Sequence, residues 1–378
     1  MNTSKKRVLR TNPTLINKHN AGTLMTRLLI SAMKNEAPYI LEWVAYHRLI
    51  GFDDILIYSN DCTDGTDDLL DALAARGWVT HERNQDYAKK GVQWTALELA
   101  GKHELTKAAE WILFSDVDEF VNIKTGTGHL DDLFASAPDA DAYALTWRLF
   151  GNSGKVDLSA SPVLEEFTRA APFPCYSPWE ASHFKTLFRN DGTYQKLGVH
   201  RPKKPERDRV HSFRWVNGSG RPLPGSYQQR GLITFGPLAG MDLVCLNHYS
   251  VKSALAYLVK SSRGLPNRSH KEIDLGYWAD RNFNSIEERS IQRHLPALKE
   301  MLDELNADKE LSRLSQQGLR WHIKHANEVM DTLDGLQLLT RIIGTERRDV
   351  DPQLARKLHA KGTELRNRAE AEENSKTR

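Results

Sequence analysis

Early in the chain, apolar residues fall in short runs separated by amphipathic stretches and polar turns. Leu24 to Met33 is rich in Leu, Ile and Met and predicts a first strand. Ile40, Leu41, Val44 and Leu49 then line one stripe of a helix, with Pro38 near its start and Gly51 just past its end. Asp54 to Tyr58 predicts a second strand, Asp67 to Arg76 a helix stopped by Gly77, and Trp78 to His81 a short third strand. Val92 to Ala109 predicts a long helix and Trp111 to Ser115 a fourth strand, apolar throughout as in a strand buried on both faces. This alternation implies right-handed crossovers and a largely parallel sheet, whose ligands sit outside the carboxyl ends of the strands. Three polar clusters fall at those ends: Lys34-Asn35-Glu36, the turn Asn60 to Thr66 with Asp64, and Asp116 to Glu119.

Beyond residue 123 the pattern loosens. Ala142 to Trp147 predicts another strand, followed by a loop of small residues through Gly154. Lys185 to Arg189, Leu197 to His200 and Leu243 to Leu246 predict further short strands, with Pro- and Gly-rich loops between 202 and 240. Helices are expected over Ala254 to Arg263, Ile286 to Leu305 (restarting near Pro296) and Leu311 to Met330. Residues 350 to 378 are highly charged with little apolar periodicity, so a solvated helix or a disordered tail.

Composition narrows the classes. With 40% hydrophobic and 27% charged residues, the chain reads as an ordinary globular protein. A net charge of +3 is too balanced for an obligate nucleic-acid binder. Cys62, Cys175 and Cys245 lie far apart, which argues against a disulfide framework or a zinc site and fits a reducing, cytoplasmic setting. No apolar run is long enough to span a membrane, and the basic start, Met1 to Arg10, lacks the apolar core of a secretory signal. Such a start can touch anionic lipid, so peripheral contact with the inner membrane face is an open expectation.

The candidate chemistry begins with Asp116 and Asp118. Two close carboxylates at a strand end repel each other unless a cation resolves the conflict, and oxygen-only ligation suits Mg2+ or Mn2+ better than zinc. The same letters also suit a polar turn that merely ends a strand, so the spacing alone leaves both readings open.

Taken together, several segments resemble a family. Met33 to His47, Gly51-Phe-Asp53, the Asn60 to Thr66 turn, Phe114 to Phe120, Trp147 to Gly154, Lys185 to Arg189, Val199 to Pro202 and Asn247 to Ser253 resemble a bacterial family-2-type glycosyltransferase. The branch is the one related to the family-92 glycosyltransferases. The resemblance covers about residues 24 to 265. It implies an α/β GT-A (nucleotide-diphospho-sugar transferase) fold, a mostly parallel sheet flanked by helices, here with a helical C-terminal extension. The domains expected are a basic tail (1–22), the GT-A domain (23–265), a helical region (266–349) and a charged tail (350–378).

The resemblance further implies a nucleotide-diphosphate sugar donor, a UDP-sugar first among them, a divalent Mn2+ or Mg2+, and transfer to a glycan or other hydroxyl acceptor in cell-surface polysaccharide or glycoconjugate synthesis. In that reading Asp116 faces the ribose or a metal-bound water and counts as a third metal residue beside Asp118, which ligates the metal, and His248, which completes its shell. Lys34, Asn35, Glu36 and Asp64 lie by the nucleotide. The family's turn carries acids where this chain has Ser59 and Asn60, so Asn60 is the candidate base contact there. Lys185, Arg189, Lys252 and Arg263 are candidates for charge on the leaving diphosphate. A general base is sought among Asp157, Glu165, Glu166 and Glu180, with Glu165 preferred for its place after the Trp147 to Gly154 loop. Trp147, Phe150 and Trp179 offer faces for a sugar. The alternatives are a catalytically weak or inactive binding or assembly protein of the same fold, and a sugar nucleotidyltransferase. The absence of glycine from Lys34 to Pro38 counts against the latter.

Overall fold

A computed structural model describes residues 25–87, 90–263, 274–346 and 352–376. The amino-terminal tail read from the sequence lies outside the described residues. The first strands are β1 (Arg27–Met33), β2 (Asp54–Ser59), β3 (Thr80–Arg83) and β4 (Trp111–Phe114). They pair in parallel in the order β3-β2-β1-β4. Their alternate residues feed two cores. Leu29, Ile55, Ile57 and Leu113 pack with the helices α1 (Ile40–Leu49) and α2 (Thr66–Ala75). Leu28, Ile30, Leu56 and Ile112 pack on the other face with α3 (Val92–Ala100). Burying each such side chain contributes about 1.5–3 kcal/mol, which is why these strands read as unbroken apolar runs.

The sheet continues as β7-β6-β9-β5, with β5 (Glu119–Ile123), β6 (Ala142–Leu149), β7 (Phe184–Arg189) and β9 (Val244–His248). A short strand, β8 (Trp215–Asn217), adds to the start of β6. β7 runs antiparallel to both β4 and β6, while β9 is parallel to β6 and antiparallel to β5. One edge of the sheet therefore collects the carboxyl ends of β1, β2, β4, β6 and β9 together with the beginnings of β5 and β7.

The expected α/β class, a largely parallel sheet flanked by helices with a helical C-terminal extension, is found. Several elements differ from the sequence reading. The first strand begins at Arg27. The helix expected over Val92 to Ala109 is two, because the chain turns at Gly101 and restarts at Glu104–Ala108, where the His103 ring accepts the Leu105 N–H as a cap. Leu197 to His200 is not a strand; Tyr194–Lys196 and Lys203–Pro205 pair around it. The stretch expected as a helix from Ile286 instead begins with a two-residue strand and a 3-10 turn, and becomes helical at α5 (Leu295–Ala307). The charged end forms the helix Pro352–Lys376.

The helix α4 (Ala254–Arg263) follows β9, and α6 (Lys309–Met330) follows α5. Leu311, Leu314, Gly318, His322 and Ala326 form the buried stripe of α6, at spacings of three and four. Its start is tied to α2 by Arg76, which donates to Asp308 at 2.7 Å and to Glu310 at 2.7 Å. No helix among the described residues is long and apolar enough to cross a membrane.

Candidate active site

β1 delivers Lys34, Asn35 and Glu36 to the collecting edge. Asn35 has φ +52°, a left-handed conformation that asparagine tolerates, and its amide grips Thr63 of the neighbouring turn: Oδ1 accepts the Thr63 N–H at 2.7 Å. Lys34 faces Asp61 at 3.8 Å, and Glu36 is buried in an ion pair with Arg263 of α4. Arg263 also donates to the backbone carbonyls of Lys34 and Asn35, so α4 clamps this loop. Asn60 lies in the same cleft wall.

Asp64, expected near the nucleotide, is instead wholly buried. Its carboxylate accepts the backbone N–H groups of Ala37 and Thr66 and a bond from His322 Nε2 of α6 at 2.8 Å. Burial alone would raise this carboxyl, but His322 and the two amides outweigh it and hold it below its ordinary value. It joins the first loop, the second turn and the C-terminal helices.

Asp116 and Asp118 do not share the face of an extended strand. β4 ends at Phe114, and the two aspartates sit on a tight turn closed by the Glu119 N–H donating to the Asp116 carbonyl at 3.0 Å. Both still line the cleft. Asp116 accepts from Lys185 Nζ at 3.0 Å, and Lys185, at the start of β7, is only 1% exposed. Beneath them, the fully buried Glu119 takes bonds from Ser115 Oγ, the Asp116 N–H and Trp147 Nε1 at 2.8–2.9 Å, with Lys185 at 3.6 Å. Burial raises Glu119 to about 8, opposed by Lys185 and reinforced by the two aspartates.

Asp118 is the most heavily attended carboxylate. Lys260 Nζ of α4 lies 2.8 Å from Oδ2, and His248 Nε2, at the end of β9, lies 3.5 Å from Oδ1. Burial would raise Asp118, but Lys260, His248 and Lys252 together hold it well below the carboxylate range. Burial lowers His248 below its ordinary value, against the pull of Asp118. His248 Nδ1 is buried with no hydrogen-bond partner.

Asp118 Oδ1 and His248 Nε2, 3.5 Å apart, are close enough to share one divalent ion, while Lys260 already holds Asp118 Oδ2. Among the described residues no three or more His, Cys, Asp or Glu gather as a ready-made cage, so the remaining shell would come from substrate oxygens and water, the habit of Mg2+ and its relatives. Asp116, named as a third ligand, is engaged by Lys185 and by Gln93 Nε2 at 3.4 Å.

The cleft encloses about 570 Å³ of water-accessible space. Besides these groups it is lined by Trp147, Trp179, Glu180 and His183 and by Lys260, Arg263, Tyr277 and Arg281. Arg281 stacks 3.8 Å from the Tyr277 ring centroid.

Four named candidates fall elsewhere. Arg189 is at the far end of β7, opposite Trp111 at the start of β4, because β7 is antiparallel; it pairs with Asp141 at 2.9 Å. Lys252 is buried 4.2 Å from the Tyr39 ring centroid rather than in the cleft. Phe150 is fully buried core. Glu165 pairs with Lys299 of α5 at 2.6 Å, outside the cleft, and of the four acids considered as base only Glu180 lines it.

Lys260, Arg281, Tyr277 and Gln93 escaped the sequence reading. Lys260 and Arg263 stand in the last turn of a helix, where a cation is ordinarily explained by the helix dipole.

Residues 30–214 match the family model described as Glycosyltransferase family 92. A Glycosyltransferase family 92 protein of Oryza sativa subsp. japonica is 24% identical over 158 residues, 40% of this chain and 26% of that protein. One of Arabidopsis thaliana is 30% identical over 95 residues, 24% of this chain and 15% of that protein. The matched part is thus about a quarter or less of these relatives' length. Among solved structures, S. aureus TarS 1-349 is 14% identical with a TM-score of 0.27, covering 44% of this chain and 47% of that one, too slight a likeness to carry an argument. The segment that holds Lys34, Asn60, Asp116, Asp118 and Lys185 is therefore related to glycosyltransferase family 92.

Proposed function

We propose that this protein transfers a sugar from a nucleoside-diphosphate donor, a UDP-sugar first among them, to a hydroxyl of a glycan or similar acceptor. The observation that carries the reading is the meeting, at one sheet edge, of Asp118, His248 and the cations Lys34, Lys260, Arg263 and Arg281 around one cleft. The family relationship of residues 30–214 supports it.

In this reading Lys34 and Asn60 receive the nucleoside end, and Asn35 holds the neighbouring turn through Thr63. Asp118 and His248 hold Mn2+ or Mg2+, which when bound supplies charge for the departing diphosphate. Lys260, Arg263 and Arg281, beside Asp118 and the Lys34 loop, neutralise the same phosphates. Glu180 takes the proton of the acceptor hydroxyl as its oxygen bonds to the anomeric carbon, while the bond from that carbon to the diphosphate breaks. Lys185 keeps Asp116 oriented, and Glu119 fixes Trp147 as one face of the sugar pocket. Three free cysteines among the described residues support a reducing, cytoplasmic setting.

A panel of nucleotide sugars, assayed for nucleoside diphosphate release with Mn2+ and with EDTA, tests this. At least one donor is expected to be cleaved in Mn2+ and not in EDTA. Absence of release from every donor would overturn the transferase reading, and equal release in EDTA would overturn the metal.

A further inference from the structure

Nine large hydrophobic side chains are more than a third exposed among the described residues, and five of them, Phe173, Tyr176, Trp179, Leu232 and Phe235, come from two adjoining loops. Tyr176 and Trp179 are 59% and 58% exposed. Leaving such rings in water forgoes the stabilisation that burial gives, so a cluster of them marks a surface that is used.

The loops are not loose. The first leaves and rejoins β6, through the Ala171 N–H on the Leu149 carbonyl at 2.8 Å and the Trp147 N–H on the His183 carbonyl at 2.9 Å. The second is bonded to it by the Thr234 N–H on the Ser182 carbonyl at 2.9 Å and to β6 by the Thr146 and Thr234 hydroxyls at 2.6 Å. Across the gap the Tyr176 and Phe235 rings meet edge to face at 5.4 Å.

The cluster is continuous with the cleft. From His248 beside Asp118, successive ring centroids are Trp147 at 4.5 Å, His183 a further 5.5 Å and Trp179 a further 5.0 Å. Trp179 is three positions from Tyr176, at most about 11 Å of chain. A row of aromatic faces therefore runs from the reacting centre to the open surface.

Charge selects the occupant. Over residues 171–183 and 230–240 the charged side chains are Glu180 and Arg230, one of each sign. A surface without net charge does not recruit anionic lipid or nucleic acid. It does suit a neutral, polyhydroxylated chain, whose C–H faces lie on aromatic rings while its hydroxyls stay in water.

We infer that these rings form an extended glycan subsite: Trp147 and Trp179 hold the sugar that receives transfer, and Tyr176 and Phe235 hold the sugars before it, so the acceptor is an oligosaccharide or polysaccharide rather than a single sugar. The inference rests on the transferase reading for calling the glycan an acceptor; glycan binding itself does not.

The test uses the whole protein and a panel of immobilised mono- to hexasaccharides of varied linkage, beside neutral and anionic phospholipid vesicles. At least one glycan series is expected to bind more tightly as it lengthens. Tyr176→Ala/Phe235→Ala is expected to lower hexasaccharide affinity by about ten-fold, while the melting temperature and nucleotide affinity stay unchanged. No retention of any glycan, unchanged affinity in the double variant, or binding to vesicles alone would overturn it. Donor cleavage without glycan binding defeats this inference and spares the transferase. Glycan binding without cleavage of any donor supports the subsite and defeats the transferase.

Discussion

A carboxylate can take a proton from an acceptor only within hydrogen-bond reach, and Glu180 is in the cleft where Glu165 is not. Glu180→Gln is expected to cut sugar transfer by roughly 100-fold or more with nucleotide affinity near wild type, whereas Glu165→Gln should transfer normally. Normal transfer by Glu180→Gln would remove it from the mechanism. The two residues show what a single chain can disclose. Lys34, Asn60, Asp116, Asp118 and His248 were legible because each follows an apolar run, and the end of such a run is a definite place in a largely parallel sheet. Glu165 stands in a four-residue helix and Glu180 in a 3-10 turn, both too short for apolar periodicity to report their direction. Arg189 misled for a related reason: Lys185 and Arg189 read as neighbours on one strand, but the strand's direction decides which of them meets the site.

At the scale of elements, apolar periodicity located β1 to β4, β6, β7 and β9 and the helices α4 to α6, and it missed β5 and the helix Leu333–Glu346. The breaks at Gly101 and before Leu295 depended on local caps that the apolar pattern does not register. How the helices dock was also hidden, and two contacts make it testable. A Cβ added at Gly318 of α6 would meet the Ala37 Cβ at 2.4 Å. Gly318→Ala should therefore lower stability by about 1–3 kcal/mol, although alanine is the better helix former. An unchanged denaturation midpoint would show that α6 does not seat there. The second contact is Glu42 of α1, whose carboxylate accepts the Val163 and Leu164 N–H groups at 2.6 and 2.9 Å. Burial raises Glu42 to about 7, against the two amides that favour its charge. The folded protein thus holds this proton more tightly than the unfolded chain. Its contribution to stability is fullest below the ordinary carboxylate range and is lost as pH rises to about 7, a change on the order of 3 kcal/mol. Between about pH 5 and 8, denaturant titrations should show wild type losing stability relative to Glu42→Gln; a constant difference would contradict the assignment.

For the whole molecule, the family match and the folding unit do not coincide. The match stops at residue 214, yet β9 (Val244–His248) lies between β6 and β5 and pairs with both. A fragment of residues 25–214 is expected to lack cooperative melting and to aggregate through the unpaired edges of β5 and β6, whereas 25–346 should melt in one transition. A fragment that folds would show that β9 is dispensable to the sheet. The same strand order bears on how the protein is made. Synthesis completes β6 long before β9 exists to fill the gap beside it, and such distant pairings slow folding. On the ribosome, Asp118 therefore waits for His248 and Lys260, and the growing chain presents open strand edges in the meantime. The protein's dependence on chaperones should accordingly be greatest late in translation, and ribosome stalling between residues 150 and 244 should yield the nascent chains most prone to stick to one another.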